Sequence, residues 1–207
     1  MSTTNDPTVF IGTDQLDFIG EMFTGGVEVA VRVATEDDAA DAGLVEKVVL
    51  IVNEAYTRGE EGMWKGAASR TNVEEMKSFI SDGRIILAYE VATRTIAGSI
   101  LVTYNFGERL GELGMLCVAQ THLRQGLGKI LVKAAEDHCR LKGCTEMRLE
   151  LLKPAKFVHP VKTWLHKWYT RLGYIQGNSE DFASAFPRIA PLLACDCLFT
   201  VYKKQIQ

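Results

Sequence analysis

No apolar run in this 207-residue chain reaches the roughly 18 positions that a helical membrane span needs, and the opening MSTTNDPTVF has neither the basic start nor the apolar stretch of a signal peptide. No membrane partner is expected, and a cytoplasmic location is. Long basic runs are missing too. With 23 basic against 26 acidic residues the formal charge is -3, so the field that draws proteins onto phosphate backbones is absent and no nucleic-acid partner is expected. Cys117, Cys139, Cys144, Cys195 and Cys197 are odd in number and contain no CxxC pair, which argues against a disulfide framework and a zinc site and for reduced thiols. His122, His138, His159 and His166 have no HxxxH or HExxH spacing, so no metal is expected. Internal repeats and low-complexity tracts are also lacking.

What is present is enough apolar sequence for one core. At 47% apolar and 24% charged residues the chain reads as a single domain over 27–207, preceded by a Gly-, Thr- and Asp-rich arm over 1–26. Val27 to Val33 alternates as a half-buried strand does. Thr35 with Asp38 reads as a capping box that opens one helix carrying Leu44, Val45, Val48, Ile51, Val52 and Ala55, ending near Thr57. Thr71 with Glu74 reads as the cap of a second helix, stopped by Asp82 and Gly83. Ile85 to Val91 and Ile96 to Tyr104 form a predicted hairpin, and Glu112 to Val118 a strand in which Gly114 suggests a bulge or a close backbone approach. Leu127, Ile130, Leu131, Ala134, Ala135 and Leu141 predict a helix ending at Gly143. A strand over Met147 to Leu152, a helix around Trp164, Leu165, Trp168 and Leu172, and a strand over Cys197 to Tyr202 complete the chain. The order implies a mixed α/β fold around one central sheet.

Between Val118 and the helix near Gly128 runs AQTHLRQGLGK. Free amides at a helix start, the positive end of the macrodipole and glycines that admit an anion all suit phosphate. Arg124 and Lys129 add positive charge. The P-loop pattern fails here, because its first glycine falls on Leu123 and its Ser or Thr on Ile130; the dinucleotide pattern GxGxxG fails at Leu131.

The segment LGMLCVAQTHLRQGLGKIL resembles the acyl-CoA signature of the GNAT N-acetyltransferases, Q/R-x-x-G-x-G/A placed after a strand whose valine lies eight residues before the first glycine. Gly126, Gly128 and Val118 fit it, whereas the Gln or Arg position is Leu123. Trp168-Tyr169-Thr-Arg-Leu-Gly-Tyr174 resembles the family's second motif, and the order of elements from Val27 to about Tyr202 is similar as well. The loop Lys153 to Val161 is longer than usual, and Lys162 stands where the family often has Asn. The resemblance implies a mostly antiparallel sheet flanked by helices, with an acyl-CoA site at a strand, glycine turn and helix junction. It implies acetyl-CoA as acetyl donor, held by the amides of Arg124, Gln125, Gly126, Leu127, Gly128 and Lys129 and by the strand residues Leu116, Cys117 and Val118.

Transfer to an amine needs a proton acceptor, since an alkylammonium has a pKa of about 10. Glu112, six residues before Val118, stands where the protein-acetylating branch of the family has its glutamate base. Simple alternation puts Glu112 on one face with Leu116 and Val118, and a bulge would change that facing. The leaving thiolate needs a proton donor, for which Tyr169 is the candidate. The N-H of Cys117 or Val118 is the candidate to polarise the thioester carbonyl; the Cys117 thiol itself reads as a core group. Glu60, Glu61 and Trp64 fall where the family often forms its acceptor pocket, and two carboxylates with an aromatic suit a cationic amine. The expected activity is acetyl transfer from acetyl-CoA to a small-molecule primary amine in one ternary complex, by a monomer or homodimer. Peptide or protein N-acetylation and a non-catalytic acyl-CoA-binding module are the alternatives.

Overall fold

The computed structural model describes residues 18–24 (backbone), 26–66 and 69–207. Its sheet has eight strands, β1 (Phe18–Thr24), β2 (Val27–Val33), β3 (Ile85–Glu90), β4 (Ile96–Asn105), β5 (Leu110–Val118), β6 (Glu146–Pro154), β7 (Ile175–Asp181) and β8 (Cys197–Gln205), in the order β1-β2-β3-β4-β5-β6-β8-β7. Six of the seven pairings are antiparallel and only β5 with β6 is parallel. That one parallel pair requires a crossover, which is the helix α4 (Leu127–Leu141). The mixed, mostly antiparallel sheet expected from the sequence is therefore what the chain forms.

Two layers of helices cover it. On one face α1 (Glu36–Ala40), α2 (Ala42–Gly59) and α3 (Val73–Ser81) bury Val45, Val48, Ile51 and Met76 against Leu87, Met115 and Cys117. On the other, α4 and α5 (Pro160–Arg171) bury Leu127, Leu131, Ala135 and Tyr169 against Ile100, Leu113 and Leu149. Each fully buried Leu or Val contributes about 1.5–3 kcal/mol of transfer free energy. A third, small cluster of Met63, Leu152, Phe182, Leu193 and Cys197 forms at the last residues of β6 and the start of β8.

Several expectations shift. The predicted first helix is two, because Asp41 (φ −81, ψ 97) leaves helical geometry and its carboxylate caps α2 by accepting the Leu44 N-H at 3.0 Å. Asn72, not Thr71, caps α3, its Oδ1 accepting the Glu75 N-H at 2.9 Å. Thr71 is buried, and its backbone is engaged by the Asn53 side chain. The end of the presumed arm, 18–24, is an edge strand antiparallel to β2, while 1–17 and 25 lie outside the described residues. Strand β7 and the short helix α6 (Phe182–Ala185) were not anticipated. No helix among the described residues is long and apolar enough to cross a membrane.

Candidate acyl-CoA and acceptor site

The site begins at an irregularity in β5. Ser99 faces Cys117 across the β4–β5 ladder but Leu101 faces Gly114, so β5 carries an extra residue, and Met115 there adopts φ 45. The bulge sits at Met115, one position beyond the glycine that suggested it. Its consequence is a change of face: Leu113 packs with α4 before it, Leu116 and Val118 after it, while Met115 and Cys117 pack with α2. Glu112, adjacent to Leu113, thus lies on the α2 face, opposite to Leu116 and Val118.

The bulge also separates β5 from β6. Their pairing covers only Leu110 to Glu112 against Glu146 to Arg148, and beyond it the strands leave a notch. Ala119 donates its N-H to Ala97 O at 2.8 Å. By ladder alternation Cys117 then points its N-H at β4, and Leu116 and Val118 point theirs at the notch. Of the two carbonyl-polarising candidates, the geometry favours Val118. A cavity of about 390 Å³ occupies the notch, within the about 300–1,000 Å³ usual for small-molecule sites. Leu113, Leu149 and Tyr169 line it from the α4 side and Tyr56, Met115 and Glu150 from the α2 side.

At the start of α4 the chain builds an anion cradle. Gly126, the N-cap, has φ 86, and Arg124 has φ 63; the first is a conformation glycine adopts freely. The N-H groups of Arg124, Gln125, Gly126, Leu127 and Gly128 have no acceptor among the described residues. Lys129 differs from the expectation: its N-H already donates to Gly126 O at 3.0 Å. A Cβ on Gly128 would lie 3.6 Å from the Trp168 ring and 4.0 Å from Val118 Cγ2, so the absent side chain leaves open the approach to these amides. The cradle fits a pyrophosphate. Leu123 in the Gln/Arg position is exposed and offers no donor.

Tyr169 lines the cavity from α5 and is buried. Burial, with the neighbouring Tyr56 hydroxyl, pushes its pKa well up, so it holds its proton throughout the physiological range. Cys117 is raised to about 11 by burial, its thiol 3.2 Å from Ser99 Oγ; it is a neutral core group, as expected. Glu112 is half-buried and does not line the cavity. Glu150 does. Its pKa is raised by burial and then by the charge of Glu112, against the ion pair it makes with Arg148.

The three acceptor candidates part company. Glu60 and Trp64 line the cavity and Glu61 does not; the Glu61 backbone carbonyl instead meets His159 Nε2 at 3.2 Å. Glu60 is already committed: Lys162 Nζ, buried on α5, reaches its Oε1 at 2.8 Å and Trp64 Nε1 donates to its Oε2 at 2.6 Å. A roof covers part of this side. Trp64 bridges to Leu193, Lys65 N-H donates to Leu192 O at 2.8 Å and Ala194 N-H to Met63 O at 2.9 Å, with Phe182, Phe186 and Phe199 beneath. Sequence reasoning missed Glu150, Tyr56, Arg70 and this roof. Arg148 and Glu150 alternate with Met147, Leu149 and Leu151 and so read as a solvated strand face, and only the unusual Lys162 offered a signal. Among the described residues no group of three or more His, Cys, Asp or Glu side chains is arranged to hold a metal ion.

Comparison with known proteins agrees with this architecture. An acetyltransferase structure of the GNAT family from Listeria monocytogenes superposes with a TM-score of 0.63 at 15% identity, covering 90% of this chain and 99% of that one. The PaiA N-acetyltransferase of Thermoplasma acidophilum, in complex with coenzyme A, gives 0.60 at 16% identity over 86% of this chain and 98% of that one. YncA of Salmonella typhimurium, with its cofactor acetyl-CoA, gives 0.59 at 14% over 86% and 94%. At these identities the likeness is one of fold. No curated protein matches the chain by sequence. The model of the acetyltransferase (GNAT) family matches residues 46–174, from within α2 through the glycine turn to the second motif, and the chain belongs to that family.

Proposed function

We propose that this protein transfers the acetyl group of acetyl-CoA to a primary amine of a small molecule, directly and within one ternary complex. The observation that carries the reading is that β5, which lines the roofed cavity with Leu113 to Leu116, leads through 119–123 into five unbonded amides at 124–128. The coenzyme A in the Thermoplasma relative and the acetyl-CoA in the Salmonella one support the same donor. Acetyl-CoA bound there supplies an activated thioester. Arg124 to Gly128 hold its pyrophosphate through backbone N-H groups, with the Lys129 side chain adding charge. Leu116 and Val118 present N-H groups toward the notch, and that of Val118 stabilises the charge developing on the carbonyl oxygen.

Glu150 accepts the proton that the amine nitrogen loses as the C–N bond forms, because it is the cavity carboxylate held above the ordinary carboxylate range. Glu112 stands behind it and acts through it as a positioning residue. Tyr169 gives its proton to the sulfur as the C–S bond breaks and regains one from Glu150 or through solvent. Amine and acetyl-CoA thus become amide and CoA thiol with no net proton change. The roof of 63–65 against 192–194 narrows this side of the cavity and so supports a small acceptor over a peptide or protein chain. Thiol release from acetyl-CoA in the presence of amines tests this: Tyr169→Phe should lose about 10²-fold or more in kcat with donor affinity kept. Saturable acetyl-CoA binding without turnover on any amine would instead identify a binding module.

A further inference from the structure

One cation that lines the cavity has no carboxylate partner among the described residues. Four charged side chains line it: Glu60, Glu150, Lys162 and Arg70. Lys162 neutralises Glu60 at 2.8 Å, and Arg148, just outside the lining, pairs with Glu150. Arg70 has no carboxylate partner among the described residues. Its guanidinium stands 5.1 Å over the Tyr56 ring, and its backbone N-H is fixed by Asn53 Oδ1 at 2.7 Å. Arg70 belongs to the α2–α3 connection, on the sheet face opposite to α4, and so lies away from the amides that fit the pyrophosphate. The remaining wall is aromatic: Phe182 and Phe186 have centroids 4.9 Å apart, and Phe186 and Phe199 5.1 Å.

Resting on the transferase reading above, we infer that the acceptor is an amine that also carries a carboxylate, an amino acid or similar amino-carboxylate with an apolar side chain. Arg70 pairs with its carboxylate in the planar, two-point fashion of guanidinium, the phenylalanine wall covers its apolar part, and the amine points at Glu150. The cationic amine that Glu60, Glu61 and Trp64 suggested in the sequence finds Glu60 already engaged by Lys162 and Trp64, and Glu61 outside the cavity lining.

Calorimetry of the CoA-loaded full-length protein tests the assignment without relying on turnover. N-acetyl-L-phenylalanine should bind about 10- to 100-fold more tightly than N-acetylphenethylamine, the same molecule without the carboxylate. The ratio should collapse toward one in Arg70→Gln and keep an intermediate value in Arg70→Lys. In thiol-release assays phenylalanine should outrun phenethylamine and spermidine. Equal binding of the two amides, an unchanged ratio in Arg70→Gln, or spermidine as the best acceptor would overturn the inference. Those results with CoA still bound would leave the transferase reading standing; failure of CoA itself to bind would overturn both.

Discussion

Glu150 and Glu112 are best understood together, since the second carboxylate raises the pKa of the first and Arg148 opposes it. The proposed transfer has Glu150 accept a proton and so needs it ionised, and the rate should rise with pH through its pKa. Glu112→Gln removes a neighbouring negative charge, lowers the Glu150 pKa and should move the acid limb of kcat/KM to lower pH. A pH profile of the variant against the parent checks the direction, and Glu150→Gln should abolish the limb along with most of the rate. Gly128 offers a second test. Ala at this helical position should stabilise the fold by up to about 1 kcal/mol in thermal unfolding. The methyl group, between Trp168 and Val118, should still weaken acetyl-CoA about 10-fold or more by displacing it from charge-assisted N-H contacts. Stability and affinity moving in opposite directions would mark this glycine as functional. The place of Tyr169 at the cavity was legible in the sequence because the second motif singles it out. Glu150 was not, since alternation alone cannot tell a strand face that lines a cavity from one that meets water.

Beside the His159–Glu61 contact, a largely buried ion pair ties α5 to the end of α2. Lys162, near the start of α5, reaches across to Glu60, just after α2, and the two side chains are 7% and 11% exposed. Lys162→Met should destabilise the protein by about 2–4 kcal/mol, because Glu60 is left charged and largely shielded from water with only the Trp64 N-H as partner; adding Glu60→Gln should restore much of it. Denaturant unfolding of the single and double variants decides, and additive losses would contradict the account. Strong periodicity made α2, α4 and the β3–β4 hairpin readable. It did not reveal β7, whose IQGNSED is exposed throughout, nor α6, too short for a helical stripe. The break between α1 and α2 was hidden for another reason: Asp41 ends one helix and caps the next, and a capping residue amid helical sequence shows no interruption of pattern. The bulge was anticipated from Gly114 but falls at Met115, where the positive φ is found.

At the scale of the molecule, one parallel pairing organises everything else. β5 and β6 stay joined for three rungs and then separate, so the sheet has an opening where α4 begins on one side and the roofed aromatic wall closes the other. The two sides of the notch give the arrangement that the proposed direct transfer in one complex needs, with donor and acceptor on opposite faces. The glycine turn was legible in the sequence because it is a local feature, whereas the cavity joins residues as distant as Arg70, Glu150 and Phe186. The central claim is that the amides at 124–128 hold acetyl-CoA. Isothermal titration of acetyl-CoA into the pure full-length protein tests it most directly. Saturable binding at one site per chain, weakened by Gly128→Ala, is the predicted result; a titration that shows no binding would contradict it.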